Sequence, residues 1–555
     1  MPDHPPPQDA LFMSATSATS ATWWQRGVIY QVYPRSFQDS DGDGIGDLRG
    51  IEARLDYLAE LGIDAIWISP IYPSPMADFG YDVADYCDVD PRFGTLADFD
   101  SLLAAAHGKN VEVILDFVPN HTSDRHPWFV ESRSSRSSAK RDWYIWRDPA
   151  PGGGPPNNWI SDFGGSAWEW DEATGQYYLH AFLKEQPDLD WRNPAVQQAM
   201  YDVLRFWFAR GVDGFRIDVL WHLIKAQGLP DNPPNPAFRA GMAEMHRVLQ
   251  LHSTDQPEVH AIAGEMRRIA DSFGERVLIG EIYLPLERLM HYYGRDTAGV
   301  HLPFNFQLVD APWNARGLAE MIAAYEAALP SNGWPNWVLG NHDRPRIAAR
   351  LGEAQARVAA MLLLTLRGTP TIYYGDELGI GRVEIPPANV QDPRELREPG
   401  LGLGRDPVRT PMPWDTTPNA GFTTGTPWLP LNADWADRNV ARLARAPGST
   451  LALHRSLLAL RRAHPALSLG GFALLDVGPA ADVLAYERRS GDGADRLLIA
   501  LNLGSAPQEL SLPAWARDMR PLLSTVEREH SSTRDTERIV LRPDEGLILG
   551  PPSAA

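Results

Sequence analysis

An α/β fold is predicted for this sequence: a closed parallel (β/α)8 TIM barrel, with a lobe inserted after the third strand and a small C-terminal antiparallel β domain. Three observations carry that prediction. Eight short apolar runs are separated by segments long enough for helices. Polar residues gather at the C-terminal ends of several of those runs. Beyond residue 466 the pattern changes to short alternating strands.

Residues 1–22 contain prolines and a Ser-Ala-Thr repeat but neither a basic start nor an apolar stretch, so a disordered tail and a cytoplasmic chain are expected. The barrel is expected over 23–120 and 187–465, the lobe over 121–186 and the β domain over 466–555. The first strand runs from Val28 to Pro34. A helical period through Ile51, Leu55, Leu58 and Leu61 leads to the second, Ala65 to Pro70. A helix from Leu96 to His107 precedes the third, Val111 to Pro119, and one from Val196 to Arg210 precedes the fourth, Gly211 to Val219. The remaining strands are Arg276 to Tyr283, His301 to Leu308, Asn336 to Asp343 and Pro370 to Tyr374.

Two insertions break the alternation. Residues 121–186 lack a helical period, are rich in Trp, Gly and Pro, and are too long for a simple loop. Residues 225–274 contain a Pro-rich turn and an expected helix from Met242 to Gln250. After a helix from Leu451 to Arg462, segments such as Asp482 to Tyr486 and Arg496 to Asn502 alternate as antiparallel strands do.

Composition excludes several functions. The net charge of −20 opposes nucleic acid or an anionic membrane surface as partner. A single cysteine, Cys87, rules out a disulfide framework within the chain. No run of about 18 apolar residues offers a membrane-spanning helix.

Between Asp39 and Asp47, Asp residues alternate with glycines, an arrangement that wraps oxygens around a hard cation. Gly50 stands where an EF-hand needs Glu and a strand precedes the loop, so an EF-hand is rejected. The expected ligands of a structural Ca²⁺ or Mg²⁺ are Asp39, Asp41, Asp43, the Ile45 carbonyl and Asp47; the bland alternative is a solvated acidic turn. No organic cofactor is expected.

In Gly214-Phe-Arg-Ile-Asp-Val219, Arg216 and Asp218 lie two residues apart and share one strand face. Alone, such a pair reads as a structural ion pair. The third strand, however, ends in Asp116 and runs on to His121, the fifth in Glu281, and the seventh in Asn341-His-Asp343. In a parallel barrel these ends meet at one mouth, where enzymes of this fold place their sites.

Asp116-Phe-Val-Pro-Asn-His121, Gly214-Phe-Arg-Ile-Asp218, Gly280-Glu281 and Asn341-His-Asp343 together resemble the α-amylase family of glycoside hydrolases, family 13. Gln186-Pro-Asp-Leu-Asp190 and Arg409-Thr-Pro-Met-Pro-Trp414 are similar to its α-glucosidase and oligo-1,6-glucosidase branch. The resemblance implies Asp218 as nucleophile, Glu281 as general acid/base and Asp343 as transition-state stabiliser. It further implies that Asp78, Tyr81, His121, His342 and Arg409 hold a terminal glucose, with Phe163, Phe182 and Gln186 completing the pocket. Arg216 is expected to keep Asp218 anionic, since a neighbouring cation lowers a carboxylate pKa. In the family, Val after the nucleophile, here Val219, accompanies α-1,6 activity, although Leu220-Trp-His222 departs from the usual Ile-Asn-Phe. The implied activity is retaining, exo-acting hydrolysis of short α-glucosides. The alternatives are a glucosyl transferase or isomerase of trehalose- or isomaltulose-synthase type, or an inactive sugar- or protein-binding homologue. Retention of all three carboxylates argues against the last.

Overall fold

In the computed structural model, which describes residues 21–476, 482–528 and 537–552, the alternation of side chains along each strand sorts the core into two faces. The first twenty residues of the predicted tail lie outside the described residues. The barrel strands are β1 (Ile29–Val32), β2 (Ala65–Ile68), β3 (Glu112–Phe117), β4 (Gly214–Ile217), β5 (Val277–Gly280), β6 (Leu302–Pro303), β7 (Asn336–Val338) and β8 (Thr369–Tyr373). Ile29, Ala65, Trp67, Ile114, Val277 and Ile279 form one buried cluster, which fills the interior. Their sequence neighbours Tyr30, Ile66, Val113 and Leu278, with Phe215 of β4, belong to another, facing the helices.

The strands lie parallel in the order β7-β8-β1-β2-β3-β4-β5-β6. A parallel bridge between Asn305 and Trp337 joins β6 to β7 and closes the barrel. The sixth strand is far shorter than its apolar run suggests. Pro303 has no N–H to donate, and Gln307–Asp310 already turn as a helix.

The helices begin and end where local chemistry allows. Asn193 accepts a hydrogen bond from the Ala195 N–H and Pro194 occupies the first turn of Pro194–Arg210. Gly211, at φ 108°, ends that helix in the left-handed region. Its buried face includes Met200, Leu204 and Phe208, each stabilising the fold by about 1.5–3 kcal/mol relative to exposure. The period through Ile51 to Leu61 is split into two helices, Leu48–Ala53 and Leu55–Leu61, at Arg54.

Two expectations about the insertions fail. The lobe does contain a helix, Pro127–Arg133, capped by His126, beside a three-stranded antiparallel sheet. The expected helix at Met242 to Gln250 is only a single turn, Glu244–Arg247, leading into extended Val248. Its apolar residues face a cavity instead of a core, so they do not repeat at helical spacing. The real helix of that excursion is Val259–Asp271, with Val259, Ile262, Ala263, Met266 and Ile269 buried on one face.

Beyond the barrel, Gly471–Leu474, Val483–Arg489, Arg496–Asn502, Gly546–Gly550 and Arg520–Ser524 form an antiparallel sheet. It docks on the barrel helix Ile347–Thr365, where Gln355 donates to Asp544 Oδ1 at 2.6 Å and Arg357 to the Thr525 carbonyl at 2.8 Å. Among the described residues no helix is long and apolar enough to cross a membrane.

Candidate active site

The barrel mouth is built on strand register. Asp116 of β3 and Arg216 of β4 are paired across the sheet, both on the interior face. On its other side Gly214 permits the close pairing of β4 with β5, because a Cβ there meets the Val277 carbonyl oxygen at 2.6 Å. Arg216 is 1% exposed and serves three carboxylates. Its Nη1 donates to Asp116 Oδ1 at 2.6 Å and to Asp218 Oδ1 at 2.7 Å, and its Nη2 lies 2.7 Å from Glu281 Oε2. The Val219 N–H also donates to Glu281 Oε2, at 2.9 Å. To make that bond Val219 takes φ 37°, a left-handed conformation costing a β-branched residue about 1–3 kcal/mol.

One cation cannot neutralise three buried carboxylates. Burial raises the Asp218 pKa well above its ordinary value, Arg216 pulls it down, and Glu281 and Asp116 push it up again. Glu281 is raised by burial and by Asp343, against Arg216. Burial likewise takes Asp116 up to about 6, against the pull of Arg216. Arg216 thus pulls Asp218 towards its anionic form, as expected, but shares that pull with Asp116 and Glu281. The three acids and Arg216 therefore form one coupled cluster, in which each carboxyl is pushed up by burial and by its neighbours.

Asp343 behaves oppositely. Burial favours its neutral form, but the guanidinium charges of Arg409, Arg405 and Arg216 outweigh that and hold its carboxyl far below the usual range. Arg409 Nη2 donates to Asp343 Oδ1 at 2.8 Å.

A cavity of about 480 Å³ opens over these groups. At one end Asp78 accepts from Arg405 Nη2 at 2.7 Å, and Gln186 Nε2 lies 3.1 Å from His121 Nε2. Tyr81 lies parallel to the His342 ring at 5.3 Å, with its hydroxyl 2.7 Å from His342 Nε2 and 3.0 Å from Asp116 Oδ2. Burial takes His121 down to about 4 and His342 well below its ordinary value, so both rings are neutral at neutral pH. Phe163 and Phe182 wall this end from the lobe, their centroids 6.1 Å apart.

Residues 31–470 match the family model described as "Alpha amylase, catalytic domain". This chain belongs to the α-amylase family. Residues 473–555 match a second model, a domain of unknown function called DUF3459. The chain is 43% identical over 507 residues to a probable α-glucosidase of Rhizobium meliloti (strain 1021), covering 88% of this chain and 91% of that one. It is 38% identical to an oligo-1,6-glucosidase of Parageobacillus thermoglucosidasius, covering 95% and 98%. Among solved structures it is similar to the α-glucosyl transfer enzyme XgtA, with 40% identity, TM-score 0.88 and coverage of 96% and 100%. The trehalulose synthase MutB from Pseudomonas mesoacidophila MX-45 follows at 36% identity, TM-score 0.87 and the same coverage. The protein is thus a glycoside hydrolase of α-glucosidase type within the α-amylase family.

Most of the predicted α-amylase-family site residues meet at the cavity. Asp78, Tyr81, His121, Phe163, Phe182, Gln186, Asp218, Val219, Glu281, His342 and Asp343 all line it, with Arg216 beneath. Arg409 is the exception. It is 0% exposed, behind Asp343, and donates to the His342 carbonyl, whereas Arg405, four residues earlier, lines the cavity beside Asp78, with Arg344 and Arg394 elsewhere in its wall. The sequence carries both in Arg405-Asp-Pro-Val-Arg409, and spacing alone does not say which one faces the sugar.

In the acidic loop, carboxylate oxygens of Asp39, Asp41 and Asp43 lie within 4.8 Å of one another, a donor set suited to a hard divalent cation. Asp47 stands outside that group. Its carboxylate accepts from the Gly50 N–H at 2.7 Å, capping Leu48–Ala53, and from Ser40. Asp162, Trp221 and Tyr283 also line the cavity; Trp221 and Tyr283 stand two residues beyond Val219 and Glu281, while Asp162 lies in the lobe with no motif to mark it.

Proposed function

We propose that this protein is a retaining, exo-acting α-glucosidase that removes terminal non-reducing glucose from disaccharides and short oligosaccharides. The observation that carries the reading is the single guanidinium of Arg216 holding both Asp218 and Glu281 at the cavity floor. A retaining pair stands about 5–5.5 Å apart, whereas an inverting pair is spread to admit a water between. Asp218 attacks the anomeric carbon as Glu281 protonates the departing glycosidic oxygen, leaving a glucosyl ester on Asp218. Glu281 then takes a proton from water, which attacks the same carbon and restores both acids. The Val219 N–H fixes one Glu281 oxygen and leaves the other for the leaving group. Asp343, pinned anionic by Arg409 and Arg405, faces the positive charge that develops on the sugar. Exo action is supported by the polar end of the cavity, where Asp78, Arg405, His121 and His342 match the hydroxyls of one glucose.

Val219 supports activity on α-1,6 linkages. Asp39, Asp41 and Asp43, with the Ile45 carbonyl, are proposed to hold a structural Ca²⁺ or Mg²⁺, with Asp47 supporting the loop.

Likeness to an α-glucosyl transfer enzyme and a trehalulose synthase favours a second reading, in which a sugar in place of water accepts the glucosyl group. Product analysis on maltose, isomaltose, sucrose and trehalose separates the two. Hydrolysis that releases α-glucose first supports the proposal. β-Glucose as first product overturns retention, and isomerised or lengthened sugars as main products favour transfer.

A further inference from the structure

Five acids line the cavity, and four are accounted for: Asp218, Glu281 and Asp343 at the reacting centre, and Asp78 paired with Arg405. The fifth is Asp162, from the lobe. We propose that Asp162, held by Gln250 and backed by His222, reads hydroxyls of the sugar that leaves or accepts, and so selects the partner of the transferred glucose. This rests on the glucosidase reading of the same cavity.

The backbone of Asp162 is fixed by its N–H bond to the Ala181 carbonyl at 2.8 Å. Its Oδ1 accepts from Gln250 Nε2 at 2.6 Å. Its Oδ2 takes no hydrogen bond among the described residues and faces His222 Nε2 at 3.7 Å, beyond bonding distance. His222 is 1% exposed, wedged between Phe182 and Trp221, and neither of its ring nitrogens has a partner. His222 stands behind Asp162 and not in the cavity wall, so Asp162 Oδ2, which lines the cavity without a hydrogen-bond donor among the described residues, is the acceptor offered to a hydroxyl there. Burial raises Asp162 to about 6, against Gln250 and Arg394, so at neutral pH it is mostly an acceptor.

The surroundings give it that role by contrast. Trp221, Tyr283, Val248 and Leu249 offer this part of the cavity apolar surface, on which the C–H face of a sugar or an aryl group rests equally well. Tyr283 is itself held by a stack on Phe306 at 4.0 Å. Apolar contact does not tell a sugar from an aryl ring; a carboxylate acceptor does.

The test compares kcat/KM for maltose and isomaltose with that for 4-nitrophenyl α-glucoside, whose leaving group carries no hydroxyl of its own beyond the bond that breaks. Asp162→Ala is expected to lower the disaccharide value about tenfold more than the aryl value, the loss of one charged hydrogen bond. Asp162→Asn, which keeps the shape, should move the ratio the same way by less, and it decides the matter should the alanine variant fold poorly. Equal losses on both substrate types, or no loss on either, overturn the inference. If the unaltered protein cleaves neither type, the glucosidase reading fails and this inference with it, and the wild-type arm alone reveals that case.

Discussion

Arg216 is the residue on which the site depends, because three buried acids compete for it. A carboxylate whose pKa is raised by folding binds its proton more tightly in the native state. Such a group makes stability fall as pH rises from its unfolded value, near 4, through its folded one, about 6 for Asp116. Removing one of these charges relieves the cluster. Asp218→Asn is therefore expected to lose at least about a thousandfold in kcat while melting about 1–3 °C higher at pH 7.5. The gain should shrink as the pH falls through about 6, where Asp116 takes up its proton. A melting temperature that falls at pH 7.5 contradicts this charge arrangement. Arg405 and Arg409 make a second residue-scale contrast. Arg405→Ala exposes Asp78 to the cavity without its partner and should raise KM about tenfold or more. Arg409→Ala strips the buried partner of Asp343 and should lower kcat and melting temperature together. Val219→Ala lessens the β-branched share of the left-handed strain and widens the floor. It should reduce the ratio of isomaltose to maltose kcat/KM by about tenfold, and a rise in that ratio argues against a linkage role for the side chain.

At the scale of elements, the acidic loop links distant parts of the chain. The Asp39 N–H donates to the Phe422 carbonyl at 3.0 Å, and the Trp428 N–H to the Gly44 carbonyl at 3.1 Å. Gly44, at φ 94°, lies so close to the Thr426 carbonyl oxygen that a Cβ comes within 1.9 Å of it. Ca²⁺ added to chelator-treated protein is expected to raise the melting temperature by several degrees, as binding to the native state alone requires. Asp41→Asn should reduce that response, and Gly44→Ala should destabilise the loop with or without the ion. Flat melting curves across Ca²⁺ and Mg²⁺ titrations rule the cation out.

For the whole molecule, the C-terminal sheet completes the barrel's outer layer. Arg488, fully buried, donates to the Gly470 and Gly471 carbonyls and to Thr365, and Tyr486 packs at the same seam. Deleting residues 473–555 uncovers apolar side chains such as Met361 and Leu364 on the helix Ile347–Thr365. A chain ending at residue 472 is expected to be recovered as aggregate, and a soluble, active fragment would show the sheet to be dispensable.

Much of this was legible in the chain, wherever the signal is local. Strand ends, helix caps such as Thr95 and Asn193, and the Gly214 to Val219 stretch each announce themselves within a few residues. Arg405 did not, because its partner Asp78 stands 327 residues away and only packing brings them together. Asp162 and the cavity roof were hidden for a related reason. The apolar residues of the 225–274 excursion serve a cavity wall, which imposes no period.

By itself, then, the sequence determined the barrel and its three acids at neighbouring strand ends, since period and order are written along the chain. The tertiary structure alone decided how charge is shared among them. The pKa of a buried acid depends on which cations and acids surround it in space, and that is set by register and burial.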